Sequence, residues 1–255
     1  MWAVAEQPAP PSDPRIQPIG QVEPLCPYCH KDVKKVFGWR NCPHCGGSIH
    51  AGRRPFDNCY VMLTDAEALA CDEQWAIAKG RHEQWLSERL RYEAEESRLR
   101  ESLRRLPTDR EVKYSLFDHE KAEFALACQW GLWRSAVYGQ AELAWHAKDW
   151  WGVIDLQGQV AYVDAAGGCN CTDKPFDRSQ AFIAPGCASR IAEAGMALGI
   201  RLEEIEAHFL TAAGAARQLT GARLDTLTAW RKVRAEIRKQ YRQWAITGRA
   251  NAWWA

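Results

Sequence analysis

Two short cysteine pairs carry the clearest chemistry in the chain. Cys26-Pro27-Tyr28-Cys29 is followed, after twelve residues, by Cys42-Pro43-His44-Cys45-Gly46-Gly47. Each C-x-x-C turn presents two thiolates. Together they supply four sulfurs in a tetrahedron, which suits Zn²⁺ at metal–sulfur distances near 2.3 Å. The prolines pre-set the turns, and Gly46 lets the backbone fold over the sulfurs. Four cysteines close the coordination shell, so the expected ion is structural, with no open position for catalysis. A rubredoxin-like iron or an iron–sulfur group is the alternative. His30, His44 and His50 read as surface residues. So short a segment has too small an apolar core to fold unaided, and the ion is expected to supply much of its folding free energy.

A weaker cluster follows later: Cys169-Asn170-Cys171, fifteen residues, then Cys187. Three thiolates could hold a second ion with a water, or with a ligand drawn from Cys128, His146, Asp177 or His208, or could serve as small core residues. Enzyme signatures are absent: no phosphate-binding G-x-x-x-x-G-K-[ST], no dinucleotide fingerprint, no H-E-x-x-H and no G-x-S-x-G. Asp118-His119-Glu120 reads as the exposed start of a helix, where acids favour the positive end of the dipole. A non-catalytic protein is expected.

Charge is unevenly spread. The 255 residues carry 33 Lys and Arg against 32 Asp and Glu, yet two stretches are basic. Cys26 to Asp57 holds Lys31, Lys34, Lys35, Arg40, Arg53 and Arg54 against two acids. Arg223 to Arg249 includes Arg231, Lys232, Arg234, Arg238, Lys239 and Arg242, again against two acids. These residues are the candidates for contact with phosphates of DNA or RNA, with Trp39 and Phe56 available for a base or an apolar surface. The alternative is that both stretches are solvated faces. The 13 tryptophans read mainly as bulk for several small cores.

The elements that must position these groups follow from periodicity and punctuation. Residues 1–24 hold six prolines and read as a mobile leader; Met1 to Pro14 lacks the features of a secretory signal. The cysteine knuckles occupy 25–58. Thr64 and Glu67 form a capping box for one long helix over 64–106, stopped by Pro107. Its Arg and Glu alternate beside a narrow seam of Leu86, Leu90, Leu99, Leu103 and Leu106. A solvated spacer is expected, or else a coiled coil giving a homo-oligomer or binding a protein partner. A buried helix is expected from Asp118 to about Trp145. Trp151–Asp155 and Gln159–Val163 then read as a β-hairpin about Gly158. Further helices are expected over Cys187–Leu198, Leu202–Ala213 and Ala222–Ile246. In the last, Leu227, Trp230, Val233, Ile237, Tyr241 and Trp244 share one face. The fold class is thus mainly α with small β, and 115–200 and 201–255 form the later domains. No stretch is apolar enough to span a membrane, and paired cysteines without a signal suggest a reducing, cytoplasmic setting.

Over residues 24–57 the paired knuckles, with Val36-Phe37-Gly38-Trp39 as the strand between them, resemble the zinc-ribbon family. That resemblance implies zinc and a small sheet, with DNA, RNA or protein as partner. Residues 150–199 resemble a degenerate SWIM zinc finger, whose pattern is C-x-C, a loop, then C-x-H opening a helix. Ser189 stands where the family has its histidine, which puts the second ion in doubt. The combined expectation is a zinc-binding adaptor or nucleic-acid-binding protein using a basic ribbon and a basic C-terminal helix. The alternative is an assembly protein with zinc as a fold staple.

Overall fold

A computed structural model describes residues 13–34, 38–168 and 176–246. Helix accounts for 64% of the described residues and strand for one small sheet, so the mainly α class holds. Contacts divide the chain between Ala94 and Glu95 into two compact units. Among the described residues no helix is long and apolar enough to cross a membrane.

The N-terminal unit is built on β1 (Gly38–Asn41), β2 (Ser48–Arg53) and β3 (Tyr60–Leu63), paired antiparallel in that order. Trp39 faces His50, and His50 in turn faces Leu63. The two-residue period of a strand sorts β3 between two small cores. Met62 joins Cys26, Val33, Cys42 and Ile49 on one side, while Val61 and Leu63 join Cys71 on the other. Residues 13–24, expected as a leader, instead pack on this unit. Ile16 is buried, Gln21 exchanges backbone bonds with Met62, and Arg54 donates to the Ile19 carbonyl. The prolines exclude helix here, but the isoleucines between them supply apolar area worth burying. Residues 1–12 lie outside the described residues.

The expected helix over 64–106 is two helices, α1 (Asp65–Ala78) and α2 (His82–Leu103). The Thr64 capping box opens α1 as expected, the Glu67 carboxylate accepting from the Thr64 amide at 2.9 Å. Gly80, at φ +66°, then lets the Arg81 amide turn back to the Ala76 carbonyl, which ends α1.

The second unit continues with α3 (Asp109–Leu126), α4 (Trp130–His146), α5 (Trp150–Ala166), α6 (Pro185–Leu198), α7 (Leu202–Thr220) and α8 (Thr226–Ile246). One core runs from Trp133 to Ile237, so α7 and α8 share it with α4 to α6. The single helix expected across Asp118–Trp145 is broken at Cys128. This residue adopts φ 54°, and the Gln129 amide returns to the Phe124 carbonyl. The same turn recurs at Lys148, with the Asp149 amide on the Ala144 carbonyl. Neither turn has the glycine that normally marks such a stop.

The largest correction concerns the hairpin. Trp151–Asp155 and Gln159–Val163 both belong to α5, which the Asp149 carboxylate caps by accepting from the Gly152 amide. Gly158 is no turn; it lies against Ala212 and Phe209. Helix α5 contacts α4, α6, α7 and α8. Its buried positions therefore run round most of the helix, and it loses the amphipathic period that identifies a surface helix. The SWIM-like order of hairpin, loop and helix is thus not present. Helix α7 similarly runs through Gly214 to Thr220. The apolar face of Phe209, Ala213 and Ala216 continues past it, outweighing the roughly 1 kcal/mol that a mid-helix glycine costs.

The start of this unit is fixed by a nearly buried carboxylate. Glu95 is 6% exposed and accepts from Arg98 at 2.5 and 2.9 Å and from the Ser115 hydroxyl at 2.5 Å. Chiefly through Arg98, and against the effect of burial, its carboxyl is held down to about 2 from an ordinary 4.5. A depressed carboxyl stabilises the native state above its unfolded value, and that contribution disappears as pH falls through the native one. Thermal unfolding followed from pH 6 to pH 2 should therefore show Glu95→Gln losing less stability below about pH 4.5 than the parent. An identical acid limb in both proteins would remove Glu95 from this role.

Candidate metal centre

The two knuckles are built by one repeated set of backbone bonds. In the first, the Cys26 amide donates to the Lys31 carbonyl and the His30 amide to the Cys26 carbonyl, both at 2.9 Å. In the second, the Cys42 amide donates to the Gly47 carbonyl at 2.7 Å and the Gly46 amide to the Cys42 carbonyl at 2.9 Å. The amides of Tyr28 and His44 point at the Cys26 and Cys42 sulfurs, each at 3.4 Å. The fifth position is left-handed in both turns, His30 at φ 58° and Gly46 at φ 75°. The Tyr28 ring covers Gly47 so closely that a Cβ there would stand 2.7 Å from it. The first knuckle thus packs directly on the second.

This packing gathers Cys26, Cys29, Cys42 and Cys45, whose sulfurs all lie within 4.8 Å of one another. Cys26 Sγ is 3.7 Å from Cys45 Sγ, and Cys29 Sγ is 3.8 Å from Cys42 Sγ. Those separations are far too long for disulfides, which bond at about 2.05 Å. They match the edge of a regular tetrahedron, about 3.8 Å when each sulfur sits about 2.3 Å from a central ion. The thiols also strain against one another. Burial raises Cys42, but the amides of His44 and Cys45 and the adjacent sulfurs bring it down to about 6. At Cys45 the Gly47 amide lowers the thiol, while burial and the other three sulfurs push it up to about 12. Four sulfurs in contact cannot all ionise unless a cation lies among them. The cluster therefore fits a metal ion.

A third turn of the same form was not foreseen. Arg54-Pro55-Phe56-Asp57-Asn58-Cys59 repeats the knuckle bonds: the Arg54 amide donates to the Cys59 carbonyl and the Asn58 amide to the Arg54 carbonyl, with Asn58 at φ 59°. Arg54 and Asp57 stand where the knuckles have cysteines, and their side chains close on each other at 2.7 and 2.9 Å. An ion pair thus ties the turn where a metal held by sulfur would tie the other two. The Arg54 guanidinium beside it holds the Asp57 carboxyl well below the usual carboxylate range. The signal was present in the shared second-position proline and in Asn58, a residue tolerant of the left-handed conformation.

This arrangement removes some expected contact residues. Arg54 is buried in its pair with Asp57. Arg40 donates to the Val33 carbonyl, inside the unit. Lys34 and Arg53 remain exposed, and Lys35 lies outside the described residues, as do Val36 and Phe37. Trp39 is 62% exposed on β1, its indole N–H held by the Ser48 hydroxyl at 2.6 Å. Ser48 donates to Asp65 Oδ1 at 2.9 Å, and His50 Nε2 meets the same oxygen at 2.5 Å. Ser48 Oγ also lies 3.4 Å from His50 Nε2, and the three groups together anchor the start of α1 to β2.

Of the second cysteine cluster, Cys169 and Cys171 lie outside the described residues. Cys187 is fully buried near the start of α6, where burial above all pushes its thiol up to about 12.

Helix α8 buries Ala229, Trp230, Val233 and Ile237, while the side chains of Tyr241 and Trp244 lie outside the described residues. Arg231, Arg238 and Arg242 are exposed and spaced by seven and four, so they fall on one line; exposed Lys232 and Lys239 form a parallel line. Lys239 pairs with Glu236, whereas Arg231, Lys232, Arg238 and Arg242 form no ion pair among the described residues. Arg234 is half-buried and its Nε is sealed from solvent.

No family model matches the chain, no curated protein matches it, and no solved structure matches it.

Proposed function

We propose that the protein is a non-catalytic zinc-binding protein that contacts nucleic acid through the basic face of α8, with the cysteine knuckles forming a zinc ribbon. The sulfur geometry carries the metal half of this reading. Opposite edges of 3.7 and 3.8 Å fit a tetrahedral ion bonded to sulfur alone, and a redox-inert ion with four thiolates serves as a structural staple. Metal analysis of the full-length protein, purified under reducing conditions, should find one zinc per chain. One iron per chain, with its visible absorption, would overturn the identity of the ion, and no metal would overturn the centre.

The nucleic-acid half rests on the cationic lines of α8. The exposed residues of the ribbon, Lys34, Arg53 and Trp39, offer a second surface. Binding of a fluorescein-labelled duplex or single strand should weaken steeply with salt. Changing Arg231, Arg238 and Arg242 together to Gln should reduce the slope of log K against log salt by about 2 to 3, at up to about 0.9 for each phosphate no longer neutralised. An unchanged slope would remove α8 from the interface. A second reading, assembly through α2, draws on Leu86 and Leu90, exposed one turn apart. A salt-insensitive oligomer in light scattering, together with no affinity for the labelled strands, would favour it.

A further inference from the structure

The end of α7 and the start of α8 frame an open, solvent-facing depression of about 590 Å³, lined by Gly214, Arg217, Gln218, Gly221, Arg223 and Thr226. That volume lies in the range of small-molecule sites, room for an organic body as well as a bare ion. The corner is fixed from below. Gly221 ends α7 in the left-handed conformation, and the Thr220 hydroxyl accepts from the Ala222 amide at 3.3 Å. The hydroxyl of Tyr162, a fully buried side chain of α5, donates to the Leu224 carbonyl at 2.8 Å.

What this rigid corner presents is donors. Arg217 and Arg223 are exposed, and neither guanidinium has an ion pair or hydrogen bond among the described residues. The amides of Arg223 and Thr226 likewise find no acceptor there. Asp225, at the same corner, accepts from the Thr228 amide at 2.8 Å and its hydroxyl at 3.1 Å. Its charge also reaches Arg217, and the two arginines with this carboxylate sum to one positive charge. Planar guanidinium forks match phosphate oxygens better than any other side chain. A phosphomonoester carries close to two negative charges and three free oxygens at neutral pH, against one charge and two free oxygens for a phosphodiester inside a polymer, and so offers more to a pair of guanidiniums.

The geometry points to a binding site for a phosphomonoester at the α7–α8 corner. The group can come from a free nucleotide or from the phosphorylated end of a nucleic acid. The site depends on neither the metal centre nor the basic face of α8.

Calorimetry on the full-length protein distinguishes these sources. The probes are thymidine 5′-monophosphate against thymidine, and a 5′-phosphorylated oligothymidine against its 5′-hydroxyl form. At least one phosphorylated probe should bind about tenfold or more tightly than its partner, the gain expected of charge-assisted bonds. A difference in the nucleotide pair identifies a free ligand, and one confined to the oligomers identifies a chain end. Arg217→Gln with Arg223→Gln should abolish the difference while circular dichroism stays unchanged, both side chains being at the surface. Arg231→Gln with Arg238→Gln should lower the affinity of both oligomers and leave the difference intact. Equal binding within both pairs, or a difference that survives the Arg217 and Arg223 changes, overturns the site without touching the proposed role of α8.

Discussion

Cys42→Ser in the full-length chain is expected to drop bound metal from about one equivalent to less than a tenth, and to unfold the N-terminal unit while the helical unit stays folded. Binding of a structural ion by four thiolates contributes an apparent 10–16 kcal/mol or so to folding, as much as or more than the net stability of an ordinary domain, about 5–15 kcal/mol. The unit has little in reserve. Its two cores hold few buried side chains, and Cys26 and Cys42 are themselves among them. The helical unit has its own core from Trp133 to Ile237, so most of the helical circular dichroism should survive. Cys71→Ser is the control, because Cys71 is buried outside the sulfur cluster. Amide spectra and metal content together decide the matter. A Cys42→Ser protein that keeps its metal would show that the cluster is not the site.

In the helical unit, Asp164→Asn is expected to cost about 3–5 kcal/mol, the usual penalty for breaking a buried ion pair from one side. Asp164 has no exposed surface, and both its oxygens accept from Arg134, each at 2.8 Å. Its backbone carbonyl also receives the Phe182 amide at 3.3 Å, tying the segment before α6 to α5. Replacing both partners, Asp164→Leu with Arg134→Met, should recover most of the loss, since a packed apolar pair needs no charge compensation. Urea unfolding measures both. Equal losses in the single and double variants would mean that the pair contributes packing rather than charge complementarity.

The sulfur cluster was legible because its signal is local: two C-x-x-C turns with proline set their own backbone. The capping box at Thr64 and the buried stripe of Trp230, Val233 and Ile237 were legible for the same reason. What escaped reading depended on tertiary surroundings. Helix α5 is enclosed, so its apolar residues show no helical period, and Gly158 looked like a turn when it is a point of close contact. Cys128 and Lys148 end helices in a conformation usually given to glycine, so the α3–α4 stop left no mark. Arg54 and Arg40 carried the expected charge but face inward, which composition cannot reveal. The third knuckle was hidden because its ligand positions hold an ion pair instead of sulfur.

The enclosure of α5 constrains how the helical unit can come apart. With neighbours in α4, α6, α7 and α8, and Val160, Ala161, Tyr162 and Val163 shut away from solvent, this segment cannot loosen by itself. Fraying can begin at the periphery and stop there, but any excursion that wets α5 must part several helices at once. Local opening in this unit should therefore grade from a permissive rim to a centre that yields only with the whole.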